Sequence, residues 1–279
     1  MNRVKQNTSE SMTKQKMLEP IHTDILLDLS SKPKSTYLEY SNRIKDEESS
    51  VFSTFLSDKQ NLDISIIIIN YNRSNYIERC LRSCIDQIVF NKSYEIIFVD
   101  DGSKDNSFKI AKKFASSIRL FKLKRNKGIS YASNFALKKS KGKFFIRVDS
   151  DDFINKHTID FMSQILEKNN KIAFVYCDHY RVDEYGYIEK KVRLKNNEII
   201  KNHGAGIMFN KKIFKKYGNY NQKITEAEDY EIIDKILKAE KAFYLPLPLY
   251  RYYIHKKNIS HSGKRHEIIK KLKKNSRNV

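Results

Sequence analysis

Tryptophan is absent from this chain, glycine and proline number only eight and four, and cysteine occurs three times. So little Gly and Pro excludes collagen-like, linker and low-complexity organisation. Cys80 and Cys84 stand one helical turn apart and Cys177 lies far away. That spacing gives neither a disulfide framework nor paired C-x-x-C arms for structural zinc, and it fits a reducing compartment. No apolar stretch approaches the ~18 residues that cross a bilayer. The opening MNRVKQNTSESMTKQK also lacks the apolar centre of a signal peptide, so the sequence reads as a soluble cytoplasmic protein. Neither G-x-G-x-x-G nor G-x-x-x-x-G-K-[ST] occurs, which argues against a dinucleotide fold and a P-loop. What the chain does have is apolar bulk. It is 40% hydrophobic, with 17 Tyr and 16 Phe in 279 residues, enough for a sizeable core and too apolar for disorder.

Charge is lopsided. Lys and Arg number 54 against 33 Asp and Glu, a net +21. The first 60 residues hold 9 basic and 9 acidic side chains, so the whole excess lies in residues 61–279. From Lys264 onward, seven basic residues face the single acid Glu267, a basic C-terminal tail over residues 263–279. A solvated lysine-rich surface explains this as well as attraction to an anionic inner membrane leaflet does.

Residues 1–60 contain no glycine, and Pro20 and Pro33 interrupt them. Beyond Pro33 the apolar Tyr37, Leu38, Ile44, Val51, Phe52, Phe55 and Leu56 recur at roughly helical spacing, which predicts a partly helical N-terminal extension. From residue 63 the pattern changes to short β-branched runs: ISIIIIN (64–70), YEIIFVD (94–100), IRLFKLK (118–124), KFFIRVD (143–149) and KIAFVYC (171–177). Their unbroken apolar character suits strands covered on both faces, and helix-length segments alternate with them. This is the pattern of an α/β fold with a mainly parallel central sheet flanked by helices. Ligands of such sheets sit at the carboxyl ends of the strands.

Those ends carry the chemistry. The strands run in turn into NYN (70–72), DDGS (100–103), RNKG (125–128) and DSDD (149–152). Three carboxylates within four residues repel one another unless a cation neutralises them, and a divalent metal is the simplest remedy. Carboxylate oxygens suit Mg²⁺ or Mn²⁺. The competing structural reading is an acidic turn capping the next helix, and for FVDDGSKDNS an ordinary strand, tight turn at Gly102 and helix cap at Asp105.

The ordered series INYNR, VDDGSKDNS, RNKGIS, VDSDD and EAEDYEI resembles the family 2 inverting glycosyltransferases of GT-A fold over residues 63–260. The resemblance implies a nucleotide-sugar donor, UDP favoured, a glycan or glycolipid acceptor and a role in cell-envelope polysaccharide synthesis. It implies a Rossmann-like GT-A domain over residues 61–262. It places Asn70, Tyr71, Asn72, Asp101, Lys127 and Asp149 at the nucleotide, with Asp101 reading a ring nitrogen of the base. Asp149 and Asp151 form the D-x-D metal motif, with Asp151 the direct ligand and His255, in YYIHKKNIS, a further one beside Asn258 and Ser260. Asp229 falls at the general base. Asp152, Gly206 and Glu228 fall on the acceptor side, although the plainer reading of Glu228 is surface charge.

The chain departs from the family pattern in two places. Ser133 stands where relatives often carry Arg, so a nucleotide-facing cation is missing or comes from Lys127, and Tyr253 stands where Arg is common before the histidine, which makes His261 a competing ligand. Cys80 and Cys84 are expected on the buried face of the first helix, and His157 and His203 stand isolated. Three rivals stay open. A basic nucleic-acid-binding protein accounts for the charge but leaves the acidic strand ends unexplained. A catalytically degenerate GT-A interaction module would not need Asp149, Asp151 and Asp229. A sugar nucleotidyltransferase would carry a glycine-rich loop where NYNRSNY has no glycine.

Overall fold

The computed structural model describes residues 62–194, 206–255, 258 and 262–276, all within one compact unit, Ser50–Val279. The expected extension over residues 1–60 lies outside the described residues, as do His203, Ser260 and His261.

The first half alternates as the sequence predicts: β1 (Leu62–Asn70), α1 (Ile77–Ile85), β2 (Tyr94–Asp100), α2 (Ser107–Lys112), β3 (Arg119–Lys122), α3 (Ile129–Lys139) and β4 (Gly142–Asp149). The second half comprises β5 (Phe153–Ile154), α4 (Thr158–Lys168), β6 (Ile172–Val182), β7 (Ile188–Val192), β8 (Ile207–Asn210), α5 (Lys212–Tyr217), α6 (Glu228–Leu237), β9 (Lys241–Tyr253) and α7 (Gly263–Ser276). One sheet runs β3-β2-β1-β4-β8-β6-β9-β5, with β7 alongside β6. The pairs among β3, β2, β1 and β4 are parallel. Beyond β4 the sheet is mixed: β8 lies antiparallel to β4 and β6, and β9 runs parallel to β6. The parallel expectation thus describes one half. The fifth predicted strand also runs on to Val182, and residues 263–276 form a helix where the sequence suggested only a basic tail.

Both faces of β1 are covered, which is why ISIIIIN has no polar alternation. Ile64, Ile66 and Ile68 pack on one side with Ile77, Cys80, Leu81 and Cys84 of α1 and Ile159, Met162 and Leu166 of α4. Ile67 and Ile69 pack on the other with Ala132 and Ala136 of α3 and Ile232, Ile233 and Ile236 of α6. The α1 residues recur at i, i+3, i+4 and i+7 and those of α4 at i, i+3 and i+7, so each helix turns one apolar stripe to the sheet. Each fully buried Ile contributes about 1.5–3 kcal/mol. This sandwich holds the strand ends level: Asn70 pairs with Asp100 in register, and Ile69 with Asp149.

Candidate functional site

At the carboxyl edge of the parallel strands, Asn70 is fully buried and donates from Nδ2 to Asp100 Oδ1 at 2.9 Å and Ser103 Oγ at 3.1 Å. Its own Oδ1 is buried without a hydrogen-bond partner among the described residues. Asn72, at φ +54°, closes a turn: its backbone N–H donates to Ser103 Oγ and its Oδ1 accepts the Lys104 N–H, each at 2.9 Å. Tyr71 between them is 40% exposed.

Asp101 is nearly buried, and its two oxygens accept the backbone N–H groups of Lys127 and Gly128, each at 2.8 Å. Burial raises its pKa, and those two amides pull the other way. Lys127 therefore meets the site through its backbone, while its ammonium lies 4.8 Å from the Tyr131 ring. Gly102, at φ +74°, lets the two turns touch: a Cβ there would stand 2.5 Å from the Arg125 carbonyl carbon.

The three carboxylates of DSDD have three different environments. Asp151 Oδ2 accepts Arg73 Nε at 2.9 Å and meets His255 Nε2 at 2.9 Å. Burial would raise its pKa, but the His255 hydrogen bond and the Arg73 charge hold it below the usual carboxylate range. His255 is fixed in turn by Asn258, whose Oδ1 accepts its N–H and whose Nδ2 donates to Tyr253 O at 3.0 Å. The imidazole stacks on Tyr76, with centroids 5.6 Å apart.

Asp152 is 1% exposed, accepting the Tyr250 hydroxyl and the Tyr253 N–H, both at 2.8 Å. Burial and the neighbouring Asp151 and Asp149 push its pKa well up. It is turned into the fold, toward Tyr250 and Tyr253. Asp149 keeps about a third of its side chain exposed and turns toward Arg147, with Nε to Oδ1 at 3.5 Å. Burial raises it to about 6, Arg147 lowering it and the Asp151, Glu228 and Asp229 carboxylates raising it.

Asp151 and His255 thus offer one oxygen and one nitrogen at one point, a donor pair that fits a divalent cation when substrate and water complete the shell. Among the described residues no group of three or more His, Cys, Asp or Glu side chains converges as a metal site. Asp149, the other carboxylate of the D-x-D motif, lies 3.5 Å from Arg147 Nε.

The E-D pair opens α6, preceded by Ala227 at φ +122°, a conformation that side chains rarely adopt. Adjacent helix residues point apart, and each acid finds its own guanidinium. Glu228 is 2% exposed and takes Arg147 Nη1 at 2.7 Å, which overturns the surface-charge reading. The same Arg147 nitrogen reaches Ser133 Oγ at 3.5 Å, so β4 delivers a cation beside the position where relatives often carry arginine. Asp229 receives a two-pronged contact from Arg265 of α7, at 2.8 and 3.0 Å. Burial would raise its pKa, yet the Arg265 charge pulls it down to about 2. So held, the carboxylate takes up a proton poorly.

Gly206 is buried at φ +68°, where a Cβ would meet Cys177 Sγ at 3.1 Å and Tyr250 Cβ at 3.3 Å. Its missing side chain lets the backbone pack closely on Cys177 and Tyr250. Cys80 and Cys84 are buried on α1 as expected. His157 stacks on Phe161, away from the carboxylates.

Sequence reasoning missed Arg73, Arg147, Tyr250 and Arg265. Arg147 left a signal, a lone charge inside an apolar strand two residues before Asp149 and hence on the same face. Tyr250, whose hydroxyl accepts the Asp149 N–H at 3.2 Å and donates to Asp152, left none.

Residues 65–224 match the profile of the family described as glycosyl transferase family 2. An uncharacterized glycosyltransferase of Rickettsia typhi is 29% identical over 195 residues, which is 65% of this chain and 60% of the relative. A chondroitin synthase of Pasteurella multocida is 28% identical over 208 residues, 71% of this chain and 21% of the relative. The chain therefore spans less than two thirds of either relative. Among solved structures, TarS 1-349 of S. aureus in complex with UDP aligns with a TM-score of 0.62 at 23% identity, over 76% of this chain and 64% of that one. Mannosyltransferase PcManGT of Pyrobaculum calidifontis, in complex with GDP-Man and Mn²⁺, aligns with a TM-score of 0.58 at 16% identity, over 80% and 66%. These likenesses show the GT-A fold. With the family profile matched over more than half of its length, the chain belongs to glycosyltransferase family 2.

Proposed function

We propose that this glycosyltransferase moves a sugar, with inversion, from a UDP-sugar to a hydroxyl of a glycan or glycolipid in cell-envelope polysaccharide synthesis. The catalytic domain spans residues 61–262, with α7 lying on it. In this reading the protein works in the cytoplasm, at the inner face of the membrane. Among the described residues no helix is long and apolar enough to cross a membrane.

The observation that carries the reading is the gathering of Arg73 and His255 on Asp151, beside Asn70, Asp101 and Asp149 at one strand edge. Tyr71 offers an exposed ring for a nucleobase to stack on, and Asn70 and Asp101 form the floor beside it. Asp151 and His255 would hold Mn²⁺ or Mg²⁺, which when bound neutralises charge on the departing diphosphate. Arg73 brings a guanidinium to the same place. The acceptor oxygen attacks the anomeric carbon as the bond to the diphosphate breaks, and Asp229 takes the hydroxyl proton. A positioned base of this kind contributes typically ~10²- to 10⁴-fold in rate.

The deciding experiment is calorimetric titration of the protein with UDP, GDP, dTDP and CDP, each with Mn²⁺ and again with EDTA. Metal-dependent binding of UDP that disappears in Asp151→Ala is expected. Failure of every nucleotide to bind would refute the donor site.

A further inference from the structure

Arg265 is 6% exposed and sits in the first turn of α7, where both prongs of its guanidinium grip Asp229. Little else on that helix is buried. Ile268, Ile269 and Leu272 are only half-covered, and Lys264, Lys270, Lys271, Lys273 and Lys274 are exposed. Among the described residues, polar ties to α6 and the loop before it add to these half-covered apolar side chains, with Glu226 partly exposed and Tyr230 buried. Ser262 Oγ donates to the Glu226 carboxylate, Lys264 Nζ stands 4.0 Å from Glu226, and Lys273 Nζ lies 5.9 Å from the Tyr230 ring. Exposed ion pairs of this kind hold weakly. Held among the described residues by one buried arginine, a few polar contacts and half-covered apolar side chains, the helix can leave without opening the sheet core. Its described side chains include six Lys or Arg and one acid, Glu267, a charge pattern complementary to an anionic lipid surface.

We propose that α7 is an autoinhibitory latch: Arg265 grips the Asp229 carboxylate while the protein is free in solution, and attraction of the lysine-rich helix to an anionic bilayer draws that guanidinium away from Asp229. The proposal rests on the reading of Asp229 as the base. A carboxylate gripped by a guanidinium is a poor proton acceptor, and a base works best with a pKa nearer the working pH. Membrane recruitment and release of the base then become one event, and transfer is confined to the surface where a glycolipid acceptor lies.

The test uses the full chain with vesicles of phosphatidylcholine alone or of equal parts phosphatidylcholine and phosphatidylglycerol. Amide exchange of wild type reads the latch without any substrate. Protection in α7 and in the first turn of α6 should change with the anionic vesicles and not with the neutral ones; no difference between the two overturns the proposal. Nucleotide release from a panel of UDP-sugars reads the consequence. Wild type should be stimulated roughly 5- to 150-fold by anionic vesicles, the range of ordinary coupling between sites. Arg265→Ala should be fast without vesicles and insensitive to them, and Lys270→Gln combined with Lys271→Gln, Lys273→Gln and Lys274→Gln should lose the stimulation. If Arg265→Ala fails to fold, Arg265→Lys, which keeps the charge but loses the fork, should show partial release. Loss of UDP binding in either variant would make Arg265 a donor ligand and sink the latch. Failure of wild type to bind any nucleotide would instead refute the donor site, with amide exchange still deciding the latch.

Discussion

Replacing Arg147 by Met should be among the most damaging single changes in the chain. Arg147 and Glu228 lie 2.7 Å apart with side chains 9% and 3% exposed, so neither is much solvated. Removing the guanidinium leaves Glu228 buried beside Asp149 and Asp229 with its partner gone. Breaking a buried pair from one side costs about 3–5 kcal/mol. At about 2–4 °C per kcal/mol for a chain of this size, the melting temperature should fall by roughly 6–20 °C. Glu228→Leu alone should cost less, since Arg147 keeps the Asp149 carboxylate at 3.5 Å. The double variant should recover part of the loss, because two apolar groups replace the buried pair while Asp149 is left without its Arg147 contact. Thermal and urea denaturation of the wild type, both single variants and the double variant complete the cycle. A loss below about 1 kcal/mol in Arg147→Met, or strict additivity of the two changes, would refute the claim that this is a desolvated, coupled pair.

Other outcomes follow from the same geometry. Gly102→Ala drives a Cβ to 2.5 Å from the Arg125 backbone at a positive φ, so denaturation should show a loss of about 2 kcal/mol or more, whereas Gly128→Ala, with open space around it, should lose clearly less. Asp86 is raised to about 6 by burial, against Arg82. The unfolded chain loses that proton near pH 4, so the fold loses stability as pH rises through about 6. Asp86→Asn should therefore raise stability by about 1–2 kcal/mol at pH 8 and leave it unchanged at pH 3.5, as urea denaturation at the two pH values will show. Asn258→Ala removes two side-chain bonds to the backbone of Tyr253 and His255 and should weaken Mn²⁺ binding about 10- to 100-fold by calorimetry; an unchanged affinity would refute a role for Asn258 in holding His255.

Much of the fold was legible because its signals are local. A run such as ISIIIIN needs no partner to declare itself a strand covered on both faces, and the α1 stripe of Ile77, Cys80, Leu81 and Cys84 announces the helix that covers it. The acidic strand ends were legible too, since parallel connectivity brings them to one edge whatever the details of packing. The second half read poorly. Its strands pair with distant partners in a mixed sheet, β6 lying between β8 and β9, and no local periodicity encodes that choice.

Sequence alone determined that carboxylates would line one edge of an α/β sheet, and its motif order placed the family. Tertiary structure decided which charge each carboxylate meets. Asp149, Asp151 and Asp152 are near neighbours along the chain, yet one turns to Arg147, one to Arg73 and His255, and one inward to Tyr250. Glu228 and Asp229 are adjacent in sequence and part company to Arg147 and Arg265, which lie on opposite sides of them along the chain. The reason is physical. Backbone pattern follows from hydrophobic periodicity within a few residues, whereas a buried charge is satisfied only by a partner brought through space, and its pKa follows from that partner.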